Sequence, residues 1–348
     1  MEKIRLGKTN MMVSRLGFGG IPIQRASTDA AVAVVNRCLE LGITFIDTAN
    51  GYTTSEERIG TAISGRRDGL ILATKTHTRS REEIEAHIQL SLKRLGVEYI
   101  DLFQFHNVST SRALERVLAP NGPMSVVEEA KRAGLVKHIG VSSHQIDTAK
   151  EAVISDRFET IMFPCNFIAY EPAEELIPIA REHDVGFIAM KPLAGGMLEN
   201  VSLAFKYILQ FPDVVPIPGI EKVHEIEEII QVLEDPWEIT ESEKCEMQRL
   251  REELGTKFCR RCDYCQPCSQ EIPISMVMAA KSALKRLSPQ QVFNGISGTA
   301  VEKAANCTEC GDCEGRCPYG LPIIETLAEN VRLFQEEKKK YQEQLDSR

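Results

Sequence analysis

The chain has 348 residues, 43% of them hydrophobic and 26% charged, with a formal net charge of −9. That length suits one large domain, or a large one with a small companion, and the composition excludes wholesale disorder. No apolar run approaches the roughly 18–20 residues that cross a bilayer, the start lacks a signal-peptide core, and the acidic balance argues against a general nucleic-acid surface. The expectation is a cytoplasmic protein that binds neither membrane nor nucleic acid.

Residues 4–6 and 12–14 flank Lys8-Thr9-Asn10 and predict a hairpin. From there to about residue 237, short apolar runs recur at 16–19, 43–46, 70–73, 100–105, 136–141, 161–163, 186–190 and 214–217. They are eight candidate buried strands. Segments of helical period lie between them. In residues 31–41 the apolar positions include 31, 34, 35, 38 and 39, and Gly42 follows as a stop. Ser80 and Glu83 form a capping-box signature ahead of Ile84, Ile88, Leu92 and Leu95, with Gly96 closing the helix. Strand starts are 25 to 36 residues apart, the length of a strand–helix unit in a parallel sheet. Eight such units predict an α/β fold, a (β/α)8 TIM barrel over residues 1–237 with the hairpin on its floor. An open parallel sheet with extra strands is the alternative. Residues 238–256 read as a connecting helix. Residues 257–348 read as a small, mostly helical second domain, with helical stretches at 274–287 and 323–345.

In such a barrel the chemistry sits at the carboxyl ends of the strands. Asp47 ends the second candidate strand, Lys75 the third and His106 the fourth, and Tyr52 follows Asp47 in the same loop. Singly, each has a plain structural role: a turn carboxylate, a surface cation, a satisfied loop histidine, a packing aromatic. Neighbouring strand ends converge, however, and the set makes chemical sense. Reducing a carbonyl by hydride needs a proton donor for the developing alkoxide, and a tyrosine with a pKa near ~10 is sluggish unless a cation lowers it. Lys75 can supply the cation, Asp47 can hold Lys75 protonated, and His106 can orient the substrate oxygen.

The runs Phe45-Ile46-Asp47-Thr48-Ala49-Asn50-Gly51-Tyr52, Leu72-Ala73-Thr74-Lys75-Thr76, Asp101-Leu102-Phe103-Gln104-Phe105-His106 and Ile139-Gly140-Val141-Ser142-Ser143 resemble the signature blocks of aldo-keto reductases. The resemblance covers about residues 3–237. It implies an NADP or NAD cofactor at the barrel mouth, a small carbonyl or alcohol substrate, and an Asp47/Tyr52/Lys75/His106 tetrad with Tyr52 as general acid. It also implies cofactor contacts by Gly19, Ser142, Ser143, Asn166, Lys191, Pro192, Leu193, Gly219 and Lys222. Several of these positions depart from the family pattern. Ser143 replaces an asparagine, Met162 falls near an expected glutamine and Met190 takes the place of a stacking aromatic. Gly219 replaces a lysine, and Glu225 falls where an arginine is common. These departures leave NADP and NAD both open.

Of eleven cysteines, eight fall in two windows. Cys259-x2-Cys262-x2-Cys265-x2-Cys268 is followed, after 38 residues, by Cys307-x2-Cys310-x2-Cys313-x3-Cys317-Pro318. The second window matches the bacterial ferredoxin run for [4Fe–4S], whose fourth cysteine ligates the other cluster. Structural zinc is the alternative for Cys-x2-Cys pairs. The region resembles α-helical dicluster ferredoxin modules, and the whole chain resembles a bacterial and archaeal branch of aldo-keto reductases that carries one. This implies two [4Fe–4S] clusters. Crossing the motifs assigns Cys259, Cys262, Cys265 and Cys317 to one, and Cys307, Cys310, Cys313 and Cys268 to the other. Lys257, Arg260 and Arg261 around the first window, against Glu309, Asp312 and Glu314 around the second, predict that the first cluster is the more easily reduced. Cys38, Cys165 and Cys245 read as inert small residues. The functional expectation is a carbonyl reductase whose clusters serve electron transfer with a ferredoxin-like partner, or sensing, or structure. The alternative is an iron–sulfur electron-transfer or redox-sensing protein with a weakened barrel.

Overall fold

Each apolar run of the first 220 residues becomes a strand buried on both faces, as parallel sheets covered by helices require. The structure, a computed structural model, describes residues 1–346. It divides into two units, Met1–Lys244 and Cys245 onward, and the division falls inside a helix. A short antiparallel pair, β1 (Lys3–Arg5) and β2 (Met12–Ser14), comes first. Eight parallel strands follow: β3 (Phe18–Gly19), β4 (Phe45–Asp47), β5 (Ile71–Thr76), β6 (Ile100–Phe105), β7 (Val136–Ser142), β8 (Thr160–Pro164), β9 (Gly186–Met190) and β10 (Val214–Ile217). They pair in chain order. Gly17 N donates to Pro216 O at 2.9 Å and Gly19 N to Pro218 O at 2.8 Å, and Gly19 bridges Gly219, so the first strand meets the last. This curls the sheet into a barrel and sets aside the open-sheet alternative. Glycine is needed at that seam: a Cβ on Gly19 would lie 2.7 Å from Pro218 O.

Helices alternate with the strands on the outside. After β3 comes α1 (Thr28–Glu40), after β4 α2 (Ser55–Ala62) and after β5 α3 (Arg81–Leu95). β6 is followed by α4 (Ser111–Leu118) and α5 (Pro123–Arg132), β7 by α6 (Ile146–Ile154), and β8 by α7 (Glu171–Glu175) and α8 (Ile177–Glu182). α9 (Val201–Leu209) and α10 (Val223–Glu234) follow β9 and β10. The predicted stop at Gly96 is a left-handed cap, φ 67. The capping box predicted at Ser80 does not form. The Ser80 hydroxyl goes to Glu82 instead, and Glu83 accepts from Thr78, because two acidic side chains and a second hydroxyl compete for the same turn.

Inside the barrel, side chains obey the strand period of two. Phe45 and Asp47, Ala73 and Lys75, and Leu102 and Gln104 point inward, with the apolar member nearer the floor, where Ile4, Leu6 and Val13 of the hairpin segment pack on it. The predicted hairpin thus plugs the barrel. Arg15, 2% exposed, locks that end by donating to the carbonyls of Leu209, Phe211, Pro212 and Val214.

In the second unit, α11 (Glu241–Gly255) leads to α12 (Ile274–Met278), α13 (Ala280–Arg286), α14 (Pro289–Asn294), α15 (Ile296–Ala304), α16 (Asp312–Gly315) and α17 (Ile323–Asp346). The predicted 274–287 helix is two helices that break at Ala279, and α14 and α15 were not foreseen. Yet α14 has a legible start: Ser288 Oγ accepts from Gln291 N, Gln291 Oε1 accepts from Ser288 N, and Pro289 takes the first position. A small core of Val277, Phe293, Val301, Leu327 and Phe334 joins these helices. Among the described residues no helix is long and apolar enough to cross a membrane.

Candidate active site and cysteine cavities

The barrel brings the four predicted proton-handling side chains together. Asp47 and Lys75, 3% and 1% exposed, meet at 2.5 Å between Oδ2 and Nζ. Lys75 Nζ also donates to Thr48 O at 2.7 Å, and Gln104 Nε2 donates to Asp47 Oδ1 at 3.1 Å. Burial pushes the Asp47 carboxyl up and the Lys75 ammonium down, and in each case the partner's charge opposes the shift. Such a buried pair adds little net stability. Its consequence is a cation 5.2 Å from the centre of the Tyr52 ring. His106 stands edge-on to that ring at 5.7 Å between centroids. The Tyr52 turn is fixed from below: Asn50 N donates to Lys75 O, Ser55 N to Tyr52 O, and Arg94 to Asn50 O.

Four neighbours were missed from the sequence. Gln104 and His77 could have been found, since each is two residues from a predicted site residue on a strand and so shares its face. His77 stacks on His106 with centroids 3.7 Å apart. Glu56, buried in the first turn of α2, accepts from the Thr74 hydroxyl at 2.7 Å. Arg79 donates to the carbonyls of Thr76, His77, Thr78 and His106, tying the two histidine loops together, and burial pushes its guanidinium down to about 10. Those two needed the fold.

The candidate cofactor residues lie in the loops after β7 to β10 and at β3. Ser142 Oγ accepts from Asn107 N at 2.9 Å, and Ser143 Oγ donates to Gln145 O. The Asn166 carboxamide is buried in its own loop, accepting from Ile168 N and Ala169 N and donating to Lys191 O. Lys191, at φ 57, brings its Nζ to 3.0 Å from His144 Nε2. Pro192 and Leu193 continue that loop, where Leu193 packs on the outer core, and Met190 packs on the barrel interior. Gly219 faces Gly19 across the seam. Lys222, exposed, precedes α10, where Glu225 Oε2 accepts from Glu221 N at 2.7 Å and Lys222 N at 3.0 Å.

In the second unit the cysteines surround two cavities. One is lined by Cys259, Cys262, Cys265 and Cys317; the other by Cys268, Cys307, Cys310 and Cys313. Each draws three cysteines from one window and one from the other. Left-handed residues Arg261, Asp263, Glu309 and Gly311 turn the chain between cysteines. Burial pushes the Cys259 thiol up to about 11 and Cys265 to about 12, so a bound metal must displace protons there. Arg260 and Asp263 line the first cavity, Arg316 and Asp312 the second, so the charge contrast between the windows is narrower around the cavities than along the chain. Arg260 stacks 4.0 Å over Tyr319, and Arg316 reaches Pro267 O at 2.8 Å, each tying one window to the other. Cys38 and Cys165 are buried, with thiols pushed up to about 12, whereas Cys245 is exposed.

Comparison with known proteins gives the class of this eight-stranded parallel barrel. The Aldo/keto reductase family matches residues 15–203, and a 4Fe-4S dicluster domain matches residues 258–322. The chain belongs to the aldo/keto reductase family and carries a C-terminal 4Fe-4S dicluster domain. It is similar to the uncharacterized oxidoreductase YqkF of Bacillus subtilis, 30% identical over 217 residues that cover 58% of this chain and 68% of the relative. It is also similar to the L-galactose dehydrogenase of Arabidopsis thaliana, 29% identical over 57% of this chain and 67% of that one. Among solved structures, the holo form of aldo-keto reductase AKR11C1 from Bacillus halodurans superposes with a TM-score of 0.63 and 27% identity, covering 72% of this chain and 96% of that one.

Proposed function

We propose that this protein reduces an aldehyde or ketone with NADH or NADPH through Asp47, Tyr52, Lys75 and His106, and that its second unit holds two [4Fe–4S] clusters, one on each four-cysteine set. The observation that carries the reading is the buried Lys75 ammonium, set between Asp47 at 2.5 Å and the Tyr52 ring at 5.2 Å. Asp47 and Thr48 O occupy two of the three Lys75 N–H donors, leaving its charge to favour the tyrosinate and so make Tyr52 a better acid. His106 orients the substrate oxygen towards Tyr52. The carbonyl carbon gains a hydride, its oxygen takes the Tyr52 proton, and an alcohol leaves. A reduced nicotinamide supplies the hydride when bound. The mouth suits a dinucleotide in charge, with Lys191 and Lys222 beside the loops after β9 and β10. At α10, Glu225 already fills two backbone N–H groups with a carboxylate, which disfavours a further phosphate and favours NADH. The donor set of each cysteine cavity, four sulfurs and no imidazole, fits an iron–sulfur cluster, which supplies one-electron chemistry when bound.

The test is anaerobic purification with iron and sulfide analysis, then NADH or NADPH oxidation with a panel of small aldehydes and ketones. Turnover in the wild type and its loss in Tyr52→Phe, with iron unchanged, supports the reading. Iron-replete protein that turns over no carbonyl sinks it in favour of an electron-transfer or sensing role. Bleaching of cluster absorbance by NAD(P)H alone would add electron exchange with a ferredoxin-like partner.

A further inference from the structure

Glu56, in the first turn of α2, is a second carboxylate buried beside the barrel, 1% exposed and outside the proposed tetrad. Its Oε1 accepts from the Thr74 hydroxyl at 2.7 Å, and its Oε2 lies 3.4 Å from Arg94 Nη1. Thr74 immediately precedes Lys75 on β5, so the two side chains take opposite faces of the strand, Lys75 to the barrel interior and Thr74 to the helix layer. The same Arg94 Nη1 donates to Asn50 O at 3.2 Å, and Asn50 N donates to Lys75 O at 2.9 Å. Gly60 admits α3 to this contact, since a Cβ there would fall 2.4 Å from Arg94 O. Both carboxylate oxygens are thus held, one against β5 next to Lys75 and one by the arginine that grips the Tyr52 loop. Packed apolar side chains would join these elements at lower cost than a buried charge. What the carboxylate adds is its charge. Burial pushes the Lys75 ammonium down, and Asp47 and then Glu56 oppose that shift.

We propose that Glu56 is a positioning residue for the proposed proton transfer: held by Thr74 and Arg94 behind β5, its negative charge keeps the proton on the Lys75–Tyr52 couple. Lys75 pulls Tyr52 towards the tyrosinate, which strengthens it as an acid, and a carboxylate on the far side of the strand limits that pull. Tyr52 then stays in the phenol form that a proton donor needs. Arg94 is the counter-ion that moderates Glu56. The groups facing Glu56 are Thr74 and Lys75 from β5 and Arg94 from α3, and Glu57, its neighbour on α2, shares Arg94 at 3.6 Å. α1 and residues 22–25 also pack on α2, and among the described residues no charged group of theirs pairs with Glu56. Facing Lys75 are Asp47 from β4 and the Tyr52 ring, with Gln104 of β6 on Asp47 and His106 on Tyr52.

The inference rests on Tyr52 as the acid, so its ionisation is read directly as well as through turnover. In iron-replete protein with its tyrosines isotope-labelled at Cζ, the Tyr52 resonance is assigned by its loss in Tyr52→Phe and titrated by NMR. Glu56→Gln is expected to bring the Tyr52 midpoint down by about half a pH unit, and the alkaline limb of kcat for carbonyl reduction with it. Arg94→Met leaves the Glu56 charge without its counter-ion and is expected to move both the other way. The double variant, Glu56→Gln with Arg94→Met, removes both charges and is expected to return both close to wild type. A merely structural role would move the two single variants in the same direction or not at all, and midpoints that do so overturn the proposal. Where Glu56→Gln does not fold, Arg94→Met decides alone, since that side chain is 23% exposed; a Tyr52 midpoint that does not rise overturns the proposal. Wild-type protein that reduces no carbonyl overturns the proposed function instead, and the NMR midpoints still decide whether Glu56 acts on Tyr52.

Discussion

In the barrel, the side chains proposed to handle a proton come from three strand ends scattered between Asp47 and His106, and the sheet register brings them together. In the C-terminal unit, eight cysteines crowd into residues 259–268 and 307–317, and the spacing inside each window does most of the placing. The energetics differ in the same way. The barrel rests on a strand–helix layer rich in Ile, Leu, Val and Phe, and each such buried side chain contributes about 1.5–3 kcal/mol. The cysteine unit has a far smaller core, in which Cys265 and Cys313 are themselves buried. One unit builds its site on a scaffold that stands without it. The other has its cysteines packed into its core.

Tyr52→Phe should have the largest effect, a fall in kcat/KM for carbonyl reduction of at least about a hundredfold, with iron, sulfide and folding unchanged. Unchanged turnover would mean that the register-built site is not where the chemistry occurs. Next comes metal removal. Stripping iron with a chelator should abolish the calorimetric transition of the C-terminal unit and leave that of the barrel in place. An apoprotein that keeps both transitions would break the contrast drawn above.

A smaller effect concerns acid stability of the barrel. Burial alone would raise the Glu159 carboxyl, but hydrogen bonds from His138, Lys131 and Ile139 N outweigh it and hold the group at about 2. A carboxyl depressed in the folded state stabilises above its unfolded value near ~4.3 and loses that contribution as pH falls towards 2. Glu159→Gln should therefore lower Tm at pH 7 and flatten its fall between about pH 4.5 and 2, as thermal melts across that range would show. Smaller still, Glu225→Gln should raise kcat/KM for NADPH relative to NADH about threefold; an unchanged ratio would remove Glu225 from cofactor choice. Smallest is the redox contrast. Arg316→Leu should lower the potential of the cluster on Cys268, Cys307, Cys310 and Cys313, widening its gap from the other in a redox titration.

The part of this protein legible in the sequence is the part written by local periodicity and spacing. Eight apolar runs at strand–helix intervals already defined the barrel, and Asp47, Tyr52, Lys75 and His106 could be selected because strand ends in that fold converge. The Cys-x2-Cys runs marked the second unit. The failures were also local: a capping box at Ser80 lost to competing side chains and a helix broken at Ala279. Tertiary structure alone decided the rest. It brought Gln104 to Asp47 and Arg79 to four loop carbonyls, and turned Asn166 into its own loop. The reason is physical. Periodicity reports which face a residue takes, whereas hydrogen-bond partners across a barrel depend on register between strands that the chain joins only through an intervening loop, helix and loop.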